Sequence, residues 1–174
     1  MANYAVFEFR MKGKFEDRTE VLKLFKQEYK IRFAISDVHD YIHEEDEETT
    51  IVYGDCKWSV YNCLIEGRNF PNYKLKDKIS EFESVDCCCD NINFVDVSSV
   101  AKVYSLEIQI ASEERGCMFM EFYHIDAEGN ILVDECLEPE GLPDYGDEVP
   151  DDKWDEYYEA EDACYQKVND YFTI

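Results

Sequence analysis

The densest run of side chains with chemistry in them is residues 147–165, DEVPDDKWDEYYEAEDACY, which sets nine carboxylates among aromatic residues with one lysine. Carboxylates can move protons, hold a hard cation, or present negative charge to a basic surface. The spacing favours the third use. On a helix, side chains three and four residues apart stand about 5–6 Å from each other. Duplex DNA presents charge on a comparable scale, one phosphate per about 3.4 Å of axis on each strand. Ten acids between Asp144 and Asp162 could therefore occupy Lys/Arg pockets shaped for phosphates. The plainer alternative is a solvated helix face, which is what most charge runs are. Trp154, Tyr157 and Tyr158 stand among the acids, and aromatic anchors beside charge are what protein interfaces use. A second acidic segment comprises Glu44, Glu45, Asp46, Glu47 and Glu48. The expected partner-binding set is that segment together with Asp144, Asp147, Glu148, Asp151, Asp152, Trp154, Asp155, Glu156, Tyr157, Tyr158, Glu159, Glu161 and Asp162.

Other constellations carry less. Glu113, Glu114, Glu121, Asp134 and Glu135 fall on neighbouring strands of an expected hairpin, where paired carboxylates serve acid–base chemistry or Mg²⁺. Arg115 offers them a local ion pair instead, and no nucleophile, phosphate loop or His-Asp pair accompanies them. The alternative function, a small metal-dependent enzyme or regulatory module, rests on this hairpin, and the leading expectation is that the protein is not an enzyme. His39 and His43 would meet only on a helix, and their surroundings read as strand. Cys87 and Cys89, with Cys56 or Cys63, could reach one metal, but free cysteines more often pack as small apolar residues. No cofactor and no metal site is expected. Lys23, Lys26 and Lys30 line one helix edge, for pairing with the acidic tail or for solvation. Trp58 reads as packing.

The chain has 174 residues, 45% of them hydrophobic, so a core can form in one domain. Its net charge is −24 and its sequence pI about 4.3. Such a field repels nucleic acid and anionic membranes and attracts basic proteins. Residues 112–174 hold twenty acids and three bases, and residues 37–49 hold seven acids and no Lys or Arg, whereas residues 1–36 carry a net +3. Asymmetry of this kind marks an interaction surface more than a solubility device. No apolar run is long enough for a membrane span and no signal-peptide pattern opens the chain, so a cytoplasmic location with reduced thiols is expected.

The elements that must position these residues follow from periodicity. YAVFEFRMKG reads as a buried strand ended by Gly13, and residues 16–29 as an amphipathic helix through Val21, Leu24 and Phe25. IRFAISDVHDYIH is extended, 44–48 a loop, and 49–67 β-rich with a turn or bulge at Gly54-Asp55. Residues 68–95 form a middle insert with a short helix at 75–83. The next helix takes Asp96 or Ser98 as its N-cap. LEIQIASEE is a strand with one solvated face, GCMFMEFYHI another strand, DAEGN a turn and ILVDECLE the return strand. Residues 139–174 form an acidic loop and a C-terminal helix packed on domain 1–138, with an aromatic stripe through Trp154, Cys164 or Tyr165, Val168 and Tyr171 or Phe172. The order βαββ, insert, αβββ, helix is an α+β fold. A ferredoxin-like, largely antiparallel sheet with helices on one face, plus the acidic C-terminal helix, is its expected form.

Two blocks, GDCKWSVYNCLIEG (54–67) and LEIQIASEERGCMFMEFYHIDAEGNILVDECLE (106–138), resemble the YubB-like ferredoxin-like domain family of phage, plasmid and other mobile-element proteins. The residues that carry the resemblance are Trp58, Ser59, Val60, Ser112, Glu113, Glu114, Gly116, Phe119, Glu121, Gly129, Asp134, Glu135 and Cys136. Phe122-Tyr123-His124 departs from the pattern, which often has a Glu-His pair after Glu121. The blocks span about a quarter of the chain. The resemblance implies the fold, with Trp58-Ser59-Val60 on a strand, and a mobile-element origin; it implies no reaction. With the charge, it leads to an expected function: inhibition of a nucleic-acid-binding host defence protein, of anti-CRISPR or anti-restriction type. The mechanism would be an acidic, nucleic-acid-mimicking surface in the cytoplasm of a bacterial host. The partner is then a basic host protein such as a CRISPR effector or restriction enzyme, with no direct nucleic-acid binding and no membrane.

Overall fold

The computed structural model describes residues 4–26, 35–67, 70–71, 94–114, 119–139, 150 and 153–174. Strand β1 (Tyr4–Lys12) alternates apolar and polar residues, and the alternation becomes burial: Ala5, Phe7, Phe9 and Met11 point into the core and Tyr4 and Val6 outward. The strand ends before Gly13, where φ is +154° and a side chain would meet Leu106 Cδ2 at 2.6 Å, so the position takes glycine. Helix α1 (Phe15–Lys26) follows, then β2 (Ile35–Ile42) and β3 (Thr49–Lys57). A π-helical turn (Tyr61–Ile65) leads to two short paired strands, β4 (Phe70–Pro71) and β5 (Phe94–Val95). Helix α2 (Val97–Tyr104) precedes β6 (Glu107–Glu114), β7 (Phe119–Ile125), β8 (Ile131–Leu137) and α3 (Trp154–Tyr171). The later part of the first helix (27–29) and the short helix at 75–83 lie outside the described residues, as do Cys87 and Cys89, Lys30 and Arg115.

Six strands make one antiparallel sheet in the order β2-β3-β1-β6-β7-β8. Register fixes its faces. Phe7 stands between Gly54 and Ser112, and Phe9 between Val52 and Ile110, so these residues share one face. That face carries the main core with Val21, Leu24 and Phe25 of α1 and Val97, Val100, Ala101 and Tyr104 of α2. Burying each large apolar side chain contributes about 1.5–3 kcal/mol. Asp96 caps α2 by accepting from Ser99 N at 2.7 Å. The DAEGN turn forms, with Gly129 at φ +85° packed so close to α2 that a Cβ would stand 2.7 Å from Ser98 O.

Helices α1 and α2 lie on one face, as expected, and α3 covers the second, over Ala111, Met120 and Phe122. Three expectations change. Strand β6 accordingly has no solvated face, and Gln109 is fully buried, bonded through its side chain to Thr173 at the chain's end. The physical reason is that β7 carries apolar residues at both parities, and Met120 and Phe122, with Ala111 of β6 beside them, leave a second face to cover. Finally, β3 runs straight through Gly54-Asp55. The irregularities fall on the facing strand, between Ile35 and Asp37 and between Val38 and Asp40. The β-structure also stops at Lys57, so Trp58-Ser59-Val60 is not a strand.

Candidate partner-binding surface

Helix α3 is two half-helices in its packing. Its C-terminal half buries Val168 and lays Cys164, Tyr165, Tyr171 and Phe172 against the second face of the sheet. Phe122 stacks on Tyr171 with centroids 5.0 Å apart and meets Phe172 edge-on at 5.3 Å. Arg10 fixes the end, its guanidinium 3.7 Å from the Phe172 centroid while Nη1 donates to Ile174 O at 3.0 Å. Beside this half lies a groove of about 250 Å³ that reaches to Val6 and Tyr53.

The N-terminal half is different. From Lys153 to Ala163 no described side chain is buried. Asp155, Glu156, Glu159 and Asp162 are exposed and Glu161 half-exposed. Among them Trp154 (39% exposed) and Tyr158 (53%) stack on each other, centroids 5.9 Å apart and planes 28° apart. The helix begins without a side-chain cap, and Asp155 and Glu156 in its first turn meet the positive end of its dipole. Acids and aromatics are presented together because the apolar stripe that begins at Trp154 meets the sheet only from Cys164 onward. Asp144, Asp147, Glu148, Asp151 and Asp152 lie outside the described residues, as does the side chain of Tyr157.

The loop of Glu44, Glu45, Asp46, Glu47 and Glu48 is exposed throughout. What holds it was not foreseen from sequence. Arg18 of α1 is 1% exposed. Its Nε donates to Gly13 O at 3.0 Å, its Nη1 to Thr50 Oγ1 at 2.8 Å, and its Nη2 to the carbonyl of Glu47. A guanidinium buried on carbonyls and a hydroxyl, with no carboxylate among these partners, is costly; burial lowers its pKa and the charge of Glu47 acts against that. His43 completes the anchor, bonded to Thr50 Oγ1 at 2.7 Å and Thr19 Oγ1 at 2.9 Å and stacked on Phe15. His39 instead pairs with Asp55 at 2.9 Å, so the two histidines do not converge.

The two acidic segments are not neighbours. The loop joins β2 to β3 at the end of the sheet where β1 finishes, next to Lys12 and Gly13. Helix α3 passes from Thr173 at the level of Gln109 to Val168 over Ala111 and Met120, so its N-terminal half points toward the opposite end of the strands.

The hairpin carboxylates are divided too. Register places Glu114, Glu121 and Asp134 on the face of α1 and α2, and Glu113 and Glu135 on the face of α3. Glu121 is 3% exposed and its oxygens are occupied. They accept from Val60 N at 2.7 Å, Tyr61 N at 3.1 Å, Ser112 Oγ at 2.8 Å and Tyr123 OH at 3.2 Å. Glu121 is thus the acceptor that seats the π-helical turn on the sheet. Lys23, from the basic helix edge, pairs with Glu20 at 2.6 Å. Beside Glu121, Cys56 is pushed up by its hydrogen bond to Cys63 and then by burial, and Cys63 donates to Lys57 O at 2.7 Å. Among the described residues no group of three or more His, Cys, Asp or Glu converges as a metal site would require.

The turn leaves two aromatics outside. Trp58, at φ +69°, is 57% exposed, where a packed residue was expected, and Tyr61 is 38% exposed. Holding a bulky residue in the left-handed region costs about 1–2 kcal/mol, which the Glu121 and Ser59 hydrogen bonds to the turn offset. The Tyr61 phenol is pushed up first by Glu66, through a hydrogen bond and its charge, and also by Asp134. Among the described residues no helix is long and apolar enough to cross a membrane. Comparison with protein-family models, with curated proteins and with solved structures found no match.

Proposed function

We propose that this protein is a non-enzymatic inhibitor of a nucleic-acid-binding host defence protein, of anti-CRISPR or anti-restriction type, encoded by a phage or other mobile element. One observation carries the reading: Trp154 and Tyr158, both exposed, stack on a half-helix with no buried described side chain that also exposes Asp155, Glu156, Glu159 and Asp162. Like charges at helical spacing cost the helix a few tenths of a kcal/mol per pair, and exposed aromatic rings remain in water. A basic partner relieves both. Acids at this spacing would fill Lys/Arg pockets made for phosphates, and the aromatic pair would anchor the contact. The anchored 44–48 loop is then a second acidic contact at the far end of the molecule, not part of the same patch. A bacterial cytoplasm is the compartment this reading requires.

The finer fold reading belongs here as well. Within the sheet, β6-β1-β3-β2 has the split order of a βαββαβ ferredoxin-like unit, with α1 and α2 on one face and β7 and β8 as an extension. This supports the ferredoxin-like reading and is compatible with the YubB-like resemblance.

The test is capture from lysates of bacteria that express defence systems. The bait is the wild-type chain or a variant with Trp154→Ala, Tyr158→Ala and the four exposed acids neutralised to Asn or Gln. Recovery of a nucleic-acid-binding protein by the wild type alone supports the reading. Equal recovery by the variant overturns it.

A further inference from the structure

The sheet has two edges, and they are not alike. Strand β2 is interrupted by two register shifts within eight residues, a device that blunts an edge against further pairing. Strand β8 has one register shift, at Leu132, and keeps unbroken register with β7 from Val133 to Leu137; among the described strands none pairs with its other side. At about 3.4 Å per residue, the stretch in continuous register, Val133–Leu137, offers about 17 Å of backbone donors and acceptors. Ile131 (42%) and Leu132 (57%) are exposed on it, as a protected edge would avoid.

Charge selects what can pair there. From Phe119 to Pro139 the chain has six acids and no Lys or Arg. Asp134 is exposed on one face of β8 and Glu135 half-exposed on the other. A second copy of this chain, laid antiparallel along β8, would oppose these acids with its own. An extended segment bearing Lys or Arg at alternate positions would meet Asp134 on one face and Glu135 on the other, where opposite charges on paired strands attract and like charges repel. On the Asp134 face, the exposed ring of Tyr61, near enough to feel the Asp134 charge, is additional surface for cationic side chains.

We infer that the outer edge of β8 is a docking site for an extended basic segment of a partner protein, which adds as a seventh strand to the sheet. The mode is strand addition, in which backbone hydrogen bonds supply affinity and side chains supply selectivity. It goes beyond the α3 surface, since it uses a different element and does not need Trp154 or Tyr158.

The probe is a fluorescent ten-residue peptide alternating Lys with Val and Thr, and the control is the same peptide with Glu for Lys. Binding to the full chain is read by anisotropy and located by amide hydrogen exchange. The Lys peptide is expected to bind and to slow exchange over 131–137, and the Glu peptide to leave both unchanged. Asp134→Lys with Glu135→Lys should weaken the Lys peptide at least about tenfold and admit the Glu peptide. Asp134→Asn with Glu135→Gln, which keeps side-chain shape, should lie between them. The Trp154→Ala, Tyr158→Ala variant should bind the Lys peptide as the wild type does, which separates this site from α3. Equal binding of the Lys peptide after charge reversal, protection on α3 in place of β8, or concentration-dependent protection of β8 by a second copy would overturn the inference.

Discussion

Trp154 and Tyr158 stand one helical turn apart with their rings stacked at 5.9 Å, and neither is buried. Their stacking holds two large apolar surfaces in one orientation on a helix whose acids face the same solvent. Replacing both by alanine removes the stacked pair, and the change in stability should stay within about 1.5 kcal/mol, the upper end of what an aromatic pair contributes. Urea denaturation of the double variant measures this, and a larger loss would mean that the pair is packing.

Arg18 is the fastener of the 44–48 loop. Arg18→Met keeps the apolar stem and removes the donors to Gly13 O, Thr50 Oγ1 and the Glu47 carbonyl. The expected loss is about 2–4 kcal/mol, with faster amide exchange over 43–50. Unchanged exchange there would show that the loop is held by other contacts.

Glu121 seats the π-helical turn through Val60 N and Tyr61 N. Glu121→Ala leaves two backbone donors without their acceptor, at an expected cost of about 2–4 kcal/mol. Removal of the acceptor should also shift the emission of the exposed Trp58. A catalytic role would predict the reverse balance: lost activity with stability kept.

Alkaline pH should unfold the protein through its buried tyrosines. Burial, and then the charges of Glu20 and Asp17, push Tyr104 up to about 12, and burial followed by Glu121 raises Tyr123 further. For a phenol whose folded pKa lies above its unfolded value of 10.0, the stabilising share is fully present below pH 10 and is lost as pH rises through the folded pKa. Urea midpoints should therefore hold to about pH 9.5 and fall from about pH 10 upward. In Tyr123→Phe the fall should be smaller.

Much of the fold was legible because periodicity speaks directly to burial. The alternation of Tyr4–Lys12, the Asp96 cap and the Gly129 turn each needed only local rules. What was not legible needed partners distant in sequence. Arg18 looked like any helix arginine until Gly13, Thr50 and Glu47 came together around it. Trp58-Ser59-Val60 reads as strand by composition, yet Glu121 on a strand about 60 residues later accepts from Val60 N and Tyr61 N and seats the π-helical turn that begins there. Likewise, the stripe on α3 is continuous in sequence, but the sheet beneath supports only its second half. The exposure of the acids of 44–48 and of α3 is legible from their charge, whereas their separation to opposite ends of the sheet follows only from register.

The most direct measurement is competition for a captured basic partner. With the partner bound, duplex DNA is titrated in at 50 mM and at 300 mM salt. If α3 occupies phosphate pockets, DNA should displace the protein stoichiometrically, and the higher salt alone should weaken binding at least about tenfold. A partner that holds DNA and this protein together, with affinity indifferent to salt, would contradict the account.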